Sequence, residues 1–157
     1  MFSFRELFFV YIIGSVMYGV IEVIFRGYTH WSMILTGGAC FLLFYLLNFS
    51  LNMNLLQKCL LSMFIITSLE FVVGYFVNIV FGLNVWSYAG LPFNYMGLVC
   101  PLYSGIWFLF GIPMTFLASF IRGVVWLRTC GLGCGLGDVH QKFACGLFMD
   151  VPESKII

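Results

Sequence analysis

The sequence predicts an all-α integral membrane protein of about four transmembrane helices, in a 2+2 pseudo-repeat, with an interfacial or re-entrant segment before the last helix. Three observations carry this. Of 157 residues, 62% are hydrophobic and only 8% are charged, where a soluble domain carries about 25% charged residues. There is too little polar surface to cover a globule, so the lipid bilayer must solvate much of the chain. Four apolar runs approach or exceed the roughly 20 residues a spanning helix needs: Leu7–Phe25, Met33–Leu51, Leu60–Phe81 and Tyr103–Ile121. Finally, Gly19, Gly27, Trp31 and Ser32 recur as Gly74, Gly82, Trp86 and Ser87. Two helices separate the copies, so both halves run in the same direction, and an axis along the membrane normal could relate them.

The length suits one transmembrane helical domain, residues 1–128, followed by a Gly- and Cys-containing tail, 129–157, that lacks periodicity and is expected to be poorly ordered. A net charge of +1, with scattered basic residues, gives no basis for nucleic-acid binding or a polybasic lipid patch.

In the first run, Arg5 resembles the charged start of a signal peptide. No small-x-small cleavage site follows, and Glu22 and Arg26 sit where one should be, so an uncleaved transmembrane helix is expected. The connections 26–32 and 52–58 are short, which makes helices 1, 2 and 3 antiparallel neighbours. The third connection, Gly82–Pro101, is rich in Gly, Asn, Pro and aromatics. That composition suits the headgroup level, where Trp and Tyr are favoured. A shallow re-entrant loop is the alternative, if protein or water satisfies its backbone. Gly111 and Pro113 predict a kink in helix 4, since Pro removes a backbone donor and crowds the preceding turn. Arg5, Lys58, Arg122, Arg128 and the tail lysines fall on one side, and only Arg26 on the other. The basic excess marks the cytoplasmic face. The expectation is a multi-pass protein of the cell membrane with both termini cytoplasmic.

Two polar stripes stand out. Ser15, Gly19, Glu22 and Arg26 share one face of helix 1, and Thr67, Glu70, Gly74 and Asn78 share one face of helix 3. Small residues permit close helix approach, so both stripes are expected to face inward. Glu70 lies mid-span, where an acidic side chain costs a few kcal/mol. It reads either as a proton, cation or substrate contact, or as a protonated carboxyl bonded across helices to Thr67 or a backbone carbonyl. Glu22 and Arg26 form an i,i+4 acid-base pair. It serves either as a local clamp or, with His30, as the lining of an outer vestibule. Trp31 and Trp86 read as interface anchors. Asn78, Asn84 and Asn94 lie toward the same side and, with Glu22 and Glu70, could offer oxygen atoms to a hard cation. Their spacing matches no cation motif, so substrate or ion contacts are assigned to Glu22, Arg26, His30, Glu70, Asn78 and Asn94, and no metal site.

Cys40 and Cys59 fit apolar packing. Cys130, Cys134, His140 and Cys145 approach a zinc knuckle, but their spacing is too loose for fixed tetrahedral ligation. The chain has no P-loop, no G-x-S-x-G and no H-E-x-x-H. No nucleophile-base pair is apparent. The reading is therefore not an enzyme, with no cofactor.

The block Glu22-x3-Arg26-Gly27-x-Thr29-His30-Trp31-Ser32-Met33, followed by Gly37-Gly38, resembles the family named Putative ABC-transporter type IV, also labelled an ABC-transporter permease family. A second block supports it: Glu70-x3-Gly74-x3-Asn78, Asn84-Val85-Trp86-x-Tyr88 and Leu91-Pro92-x-Asn94. The match spans about residues 14–120. The resemblance implies a small bacterial inner-membrane protein, permease-like, served by a separate ATP-hydrolysing subunit. The family pattern carries Asp at the position of Ser87, Gln near Leu98 and an acidic pair near Ala118-Ser119, so this chain lacks several polar groups. A membrane component of a transport system is the leading function. A non-transporting scaffold or binding subunit of a larger complex is the alternative. Small-residue faces favour a homo-oligomer.

Overall fold

The computed structural model describes residues 2–133, with side chains to residue 125. The elements are α1 (Phe4–Arg26), α2 (Trp31–Ser50), α3 (Leu55–Gly74), which continues as one π-helical stretch (Tyr75–Val80), and α4 (Pro101–Gly133). Four segments are long and apolar enough to cross a membrane: Phe4–Arg26, Trp31–Ser50, Leu55–Val80 and Pro101–Val125. Each contains or closely overlaps one predicted run. No strand occurs among the described residues, and one antiparallel bridge joins Tyr95 to Val99. The tail from residue 134 and the Cys130–Cys145 spacing lie outside the described side chains.

The chain forms two compact units, Met1–Thr115 and Phe116–Ile157. In the second, Ala118 and Ile121 are buried. α4 is helical through Pro113, and Thr115 donates to the Gly111 carbonyl at 2.7 Å, close to the backbone that the proline disturbs. The first unit carries the remaining packing.

Helix ends follow local chemistry. Glu6 accepts the Ser3 N–H at 3.3 Å and Gln57 accepts the Asn54 N–H at 2.9 Å. These S-x-x-E and N-x-x-Q starts satisfy otherwise orphaned donors. α1 ends at Gly27, whose positive φ of 77° closes the helix in a left-handed cap. Gly82, its counterpart in the proposed repeat, has φ 64°. The tryptophans that follow diverge: Trp31 opens α2, whereas Trp86 lies in a loop well before α4.

α2 is the innermost helix of the first unit. Of its apolar window 56% is buried, against 28% for α1 and 33% for α3. Its hydrophobicity on all sides suits that position. It pairs with α1 through close approaches. A Cβ on Gly37 would collide with the Tyr18 side chain, and one on Gly14 would lie 2.5 Å from Phe41 Cβ. Along the α3–α4 contact, a Cβ on Gly111 would lie 2.5 Å from Cys59 Cα, and Ser62 donates to the Trp107 carbonyl at 2.9 Å. With hydrocarbon outside, such packing and polar contacts rather than water exclusion hold membrane helices together.

The third connection is irregular but well paired with protein. Tyr88 N–H donates to the Gly97 carbonyl at 2.7 Å, and Asn94 bridges the Leu91 carbonyl (2.7 Å) and the Gly97 N–H (3.0 Å). Phe93 and Met96 adopt positive φ of 56° and 54°, a conformation costing an L-residue about 1–2 kcal/mol. Asn94 and the Tyr95–Val99 bridge hold that turn. Trp86 departs from the anchor role read for it. It is 6% exposed, packs with Met33, Val77 and Val85, and donates from Nε1 to the Leu98 carbonyl at 3.0 Å. Gly74 makes room: a Cβ there would lie 2.7 Å from the Trp86 ring. Trp31, by contrast, is 64% exposed.

Gly111→Ala is expected to destabilise the chain by about 1–3 kcal/mol, because backbone lies opposite and cannot give way. Gly105→Ala is the control: nothing lies within 4 Å of its Cβ position, so it should be neutral or slightly stabilising. Thermal unfolding of both variants in one detergent checks the pair, and equal melting would refute the close-approach account.

Candidate functional site

The polar stripes meet around Glu70. The helical period turns Ser15, Gly19 and Glu22 of α1 and Glu70 and Gly74 of α3 into the protein, where all five are buried. Glu70 is 2% exposed. Its Oε1 accepts the Tyr18 hydroxyl of α1 at 3.2 Å, and its Oε2 accepts the Trp107 Nε1–H of α4 at 2.9 Å. Indole nitrogen can only donate, so that oxygen must accept. Thr67, expected as a partner, instead pairs with Ser104 at 3.1 Å. One turn of helix separates Thr67 from Glu70, and α4 presents the serine to one and the indole to the other.

Two turns along α1, Arg26 Nη1 donates to Glu22 Oε1 at 2.8 Å, and Thr29 donates its hydroxyl to Glu22 Oε2. Arg26 Nη2 donates to the Val85 carbonyl at 2.7 Å and to the Tyr28 hydroxyl at 3.2 Å, and the guanidinium stands 4.9 Å from the Tyr28 ring centroid. The pair is therefore more than a local helix clamp, because it grips the third connection. Asn78 holds the peptide groups on either side of that one. It accepts the Val85 N–H at 2.7 Å and donates to the Trp86 carbonyl at 2.8 Å. The π-helical stretch carries Asn78, with Phe81 N–H bonding back to the Phe76 carbonyl at 2.9 Å. Such wide turns often mark functional sites.

A cavity of about 330 Å³ opens between these two levels. Glu22 and Arg26 line it, with Tyr18, Tyr88, Tyr103 and Trp107. Tyr18 and Trp107 stand 6.0 Å apart, and Tyr88 stacks on Tyr103 at 4.5 Å. Burial, with the Glu70 charge next, pushes the Tyr88 phenol above its usual range, so Tyr88 stays a neutral donor and acceptor.

Of the six residues singled out in the sequence, Glu22 and Arg26 line the cavity and Glu70 stands directly behind two of its wall residues. Asn78 spends its amide on the loop backbone. His30 caps α2, with Nδ1 2.7 Å from Ser32 Oγ, and Asn94 folds its own turn. Neither lines the cavity. Asn84 also bonds its local backbone, to the Gly82 carbonyl. No group of three or more His, Cys, Asp or Glu side chains suited to a metal occurs among the described residues. Sequence reasoning missed Tyr18, Tyr88, Tyr103 and Trp107. Trp107, the fifth residue of the run Tyr103–Ile121, gave no clear signal.

The chain belongs to the family described as Putative ABC-transporter type IV, which it matches over residues 8–129. That range contains every cavity residue. No curated protein and no solved structure matches the chain.

Asn78→Ala should leave the Val85 N–H and Trp86 carbonyl without their partner, at a cost of about 1–3 kcal/mol. Amide hydrogen exchange is expected to accelerate at Val85 while α2 stays protected. Unchanged exchange at Val85 would show that Asn78 does not pin the loop.

Proposed function

We propose that the chain is the permease-like membrane component of a transport system and that the cavity between α1, α4 and the third connection is its substrate site. The observation that carries this is the placement of Glu70. A carboxyl deep inside an apolar span is expensive and by default marks a pathway or binding site, and this one backs directly onto the wall of a cavity. The family description agrees with a role in transport. In this reading a separate subunit hydrolyses ATP, and the chain itself carries no catalytic centre and no cofactor. The basic residues Arg5, Lys58, Arg122 and Arg128 favour cytoplasmic termini, and in that orientation the Arg26 end of the cavity faces outside. The Gly27 and Gly82 caps support a 2+2 relation between the halves. Self-association through small-residue faces would widen the pathway.

One observation favours the second reading, a scaffold or binding subunit that does not transport. Glu22, Arg26 and Glu70 all have protein hydrogen-bond partners, as groups serving helix assembly would.

Affinity purification of the full chain in mild detergent, with mass spectrometry of what accompanies it, tests the permease reading. A nucleotide-hydrolysing subunit in stoichiometric amount is expected, and a homo-oligomer with no partner would overturn it. Glu70→Gln separates the two readings. The amide keeps an acceptor for Trp107, so the chain should remain monodisperse. Losing hydrogen bonds to a charged acceptor, worth about 1.5–3 kcal/mol each, should then lower substrate-dependent flux by about tenfold or more. Disassembly without a separable flux effect would favour the scaffold.

A further inference from the structure

We infer that the cavity takes a small organic ammonium ion, seated against the aromatic rings of Tyr18 and Trp107, with Glu70 as a positioning residue behind them. This rests on the substrate-site reading above and adds the class of ligand.

Three observations carry it. The first is charge. Two acidic side chains, Glu22 and Glu70, stand with a single guanidinium, and Arg26 is already committed to Glu22, to Tyr28 and to the Val85 carbonyl. An anion would find no uncommitted arginine and two acidic side chains nearby, whereas a cation meets neither obstacle. The second is the wall. Tyr18, Tyr88, Tyr103 and Trp107 all line the cavity, and aromatic faces attract cations electrostatically, Trp most strongly, with quaternary ammonium recognition their recurrent use. The third is the hydrogen bonding behind the wall. Tyr18 and Trp107 both donate to Glu70. Donation toward a carboxylate leaves each ring richer in electron density, since linked hydrogen bonds polarise one another. Glu70 therefore strengthens and orients the two rings without touching the ligand.

The test is calorimetric titration of the purified full chain with tetraethylammonium, with benzoate as an anion of similar size. Saturable binding of the ammonium and none of benzoate is expected. Trp107→Leu should weaken it about tenfold or more, Trp107→Phe only a few-fold, and Glu70→Gln a few-fold with the chain still monodisperse. Phenylalanine keeps a ring face while losing the N–H, so graded loss separates a ring contact from general damage. Repeating the titration in phosphatidylcholine nanodiscs distinguishes sources. Suppression there identifies a lipid headgroup and persistence a free solute, and either upholds ammonium chemistry. Binding of benzoate alone would overturn the ammonium assignment and leave the substrate-site reading standing. Binding of neither probe, combined with substrate flux that survives Trp107→Leu, would overturn both.

Discussion

The structure depends on satisfying one carboxyl group in a place without water. Glu70 sits in α3 at a depth where an unpartnered carboxyl costs several kcal/mol. The chain meets that cost by bringing one donor from α1 and one from α4, Tyr18 to Oε1 and Trp107 to Oε2. Neither donor can reach unless its helix lies at a particular rotation and height. The requirement on one side chain thus becomes a requirement on the arrangement of three helices. α2 enters indirectly, because Tyr18 rests over Gly37, and any side chain at that position would push the phenol off its partner.

Much of this was legible in the sequence, for a physical reason. Transmembrane helices must be long, apolar and internally hydrogen-bonded, so composition and run length alone locate them. The inward faces were legible too, since the placement of Ser15, Gly19, Glu22 and of Glu70, Gly74 at helical spacing leaves little choice when charges avoid hydrocarbon. The partners were not. Tyr18 and Trp107 are ordinary aromatics in apolar runs, and nothing local says which hydroxyl or indole will find a carboxyl 52 or 37 positions away. Trp86 shows the same limit. Its surroundings of Gly, Asn and Pro suggested a surface segment, yet the fold gives it a slot above Gly74. Asn78 and Asn94 illustrate a different ambiguity. An amide has both donor and acceptor atoms, so it serves a backbone as readily as a ligand, and here both serve backbone.

The third connection has its own logic. An irregular segment of this length within an apolar protein must place every peptide group, and most of its side-chain hydrogen bonds go to backbone rather than to other side chains. Arg26 takes the Val85 carbonyl and Asn78 takes the Val85 N–H and the Trp86 carbonyl, so this short stretch of backbone joins α1 to the π-helical end of α3. The widened turn is what lets Asn78 face the loop. The loop is thereby part of the helix assembly and closes one side of the cavity.

These two tie points also bracket the cavity. Tyr18 and Arg26 are eight residues apart on α1, and Glu70 and Asn78 are eight residues apart on α3 and its continuation. Eight residues of α-helix span about 12 Å. α1 and α3 run in the same direction, so the Tyr18–Glu70 bond ties them at one level and the Arg26–Val85–Asn78 bridge ties them again two turns on. A single tie would leave a pivot about which the helices could splay or close. Two ties at matched spacing limit both separation and tilt, and the cavity lies beside α1 between these two levels, bounded by Trp107 and by the Tyr88–Tyr103 stack. Of the two, the Arg26–Val85–Asn78 tie is the one that can yield. It is made of exchangeable polar bonds, with Arg26 part-exposed, whereas the Glu70 tie is buried and has no water to replace its partners.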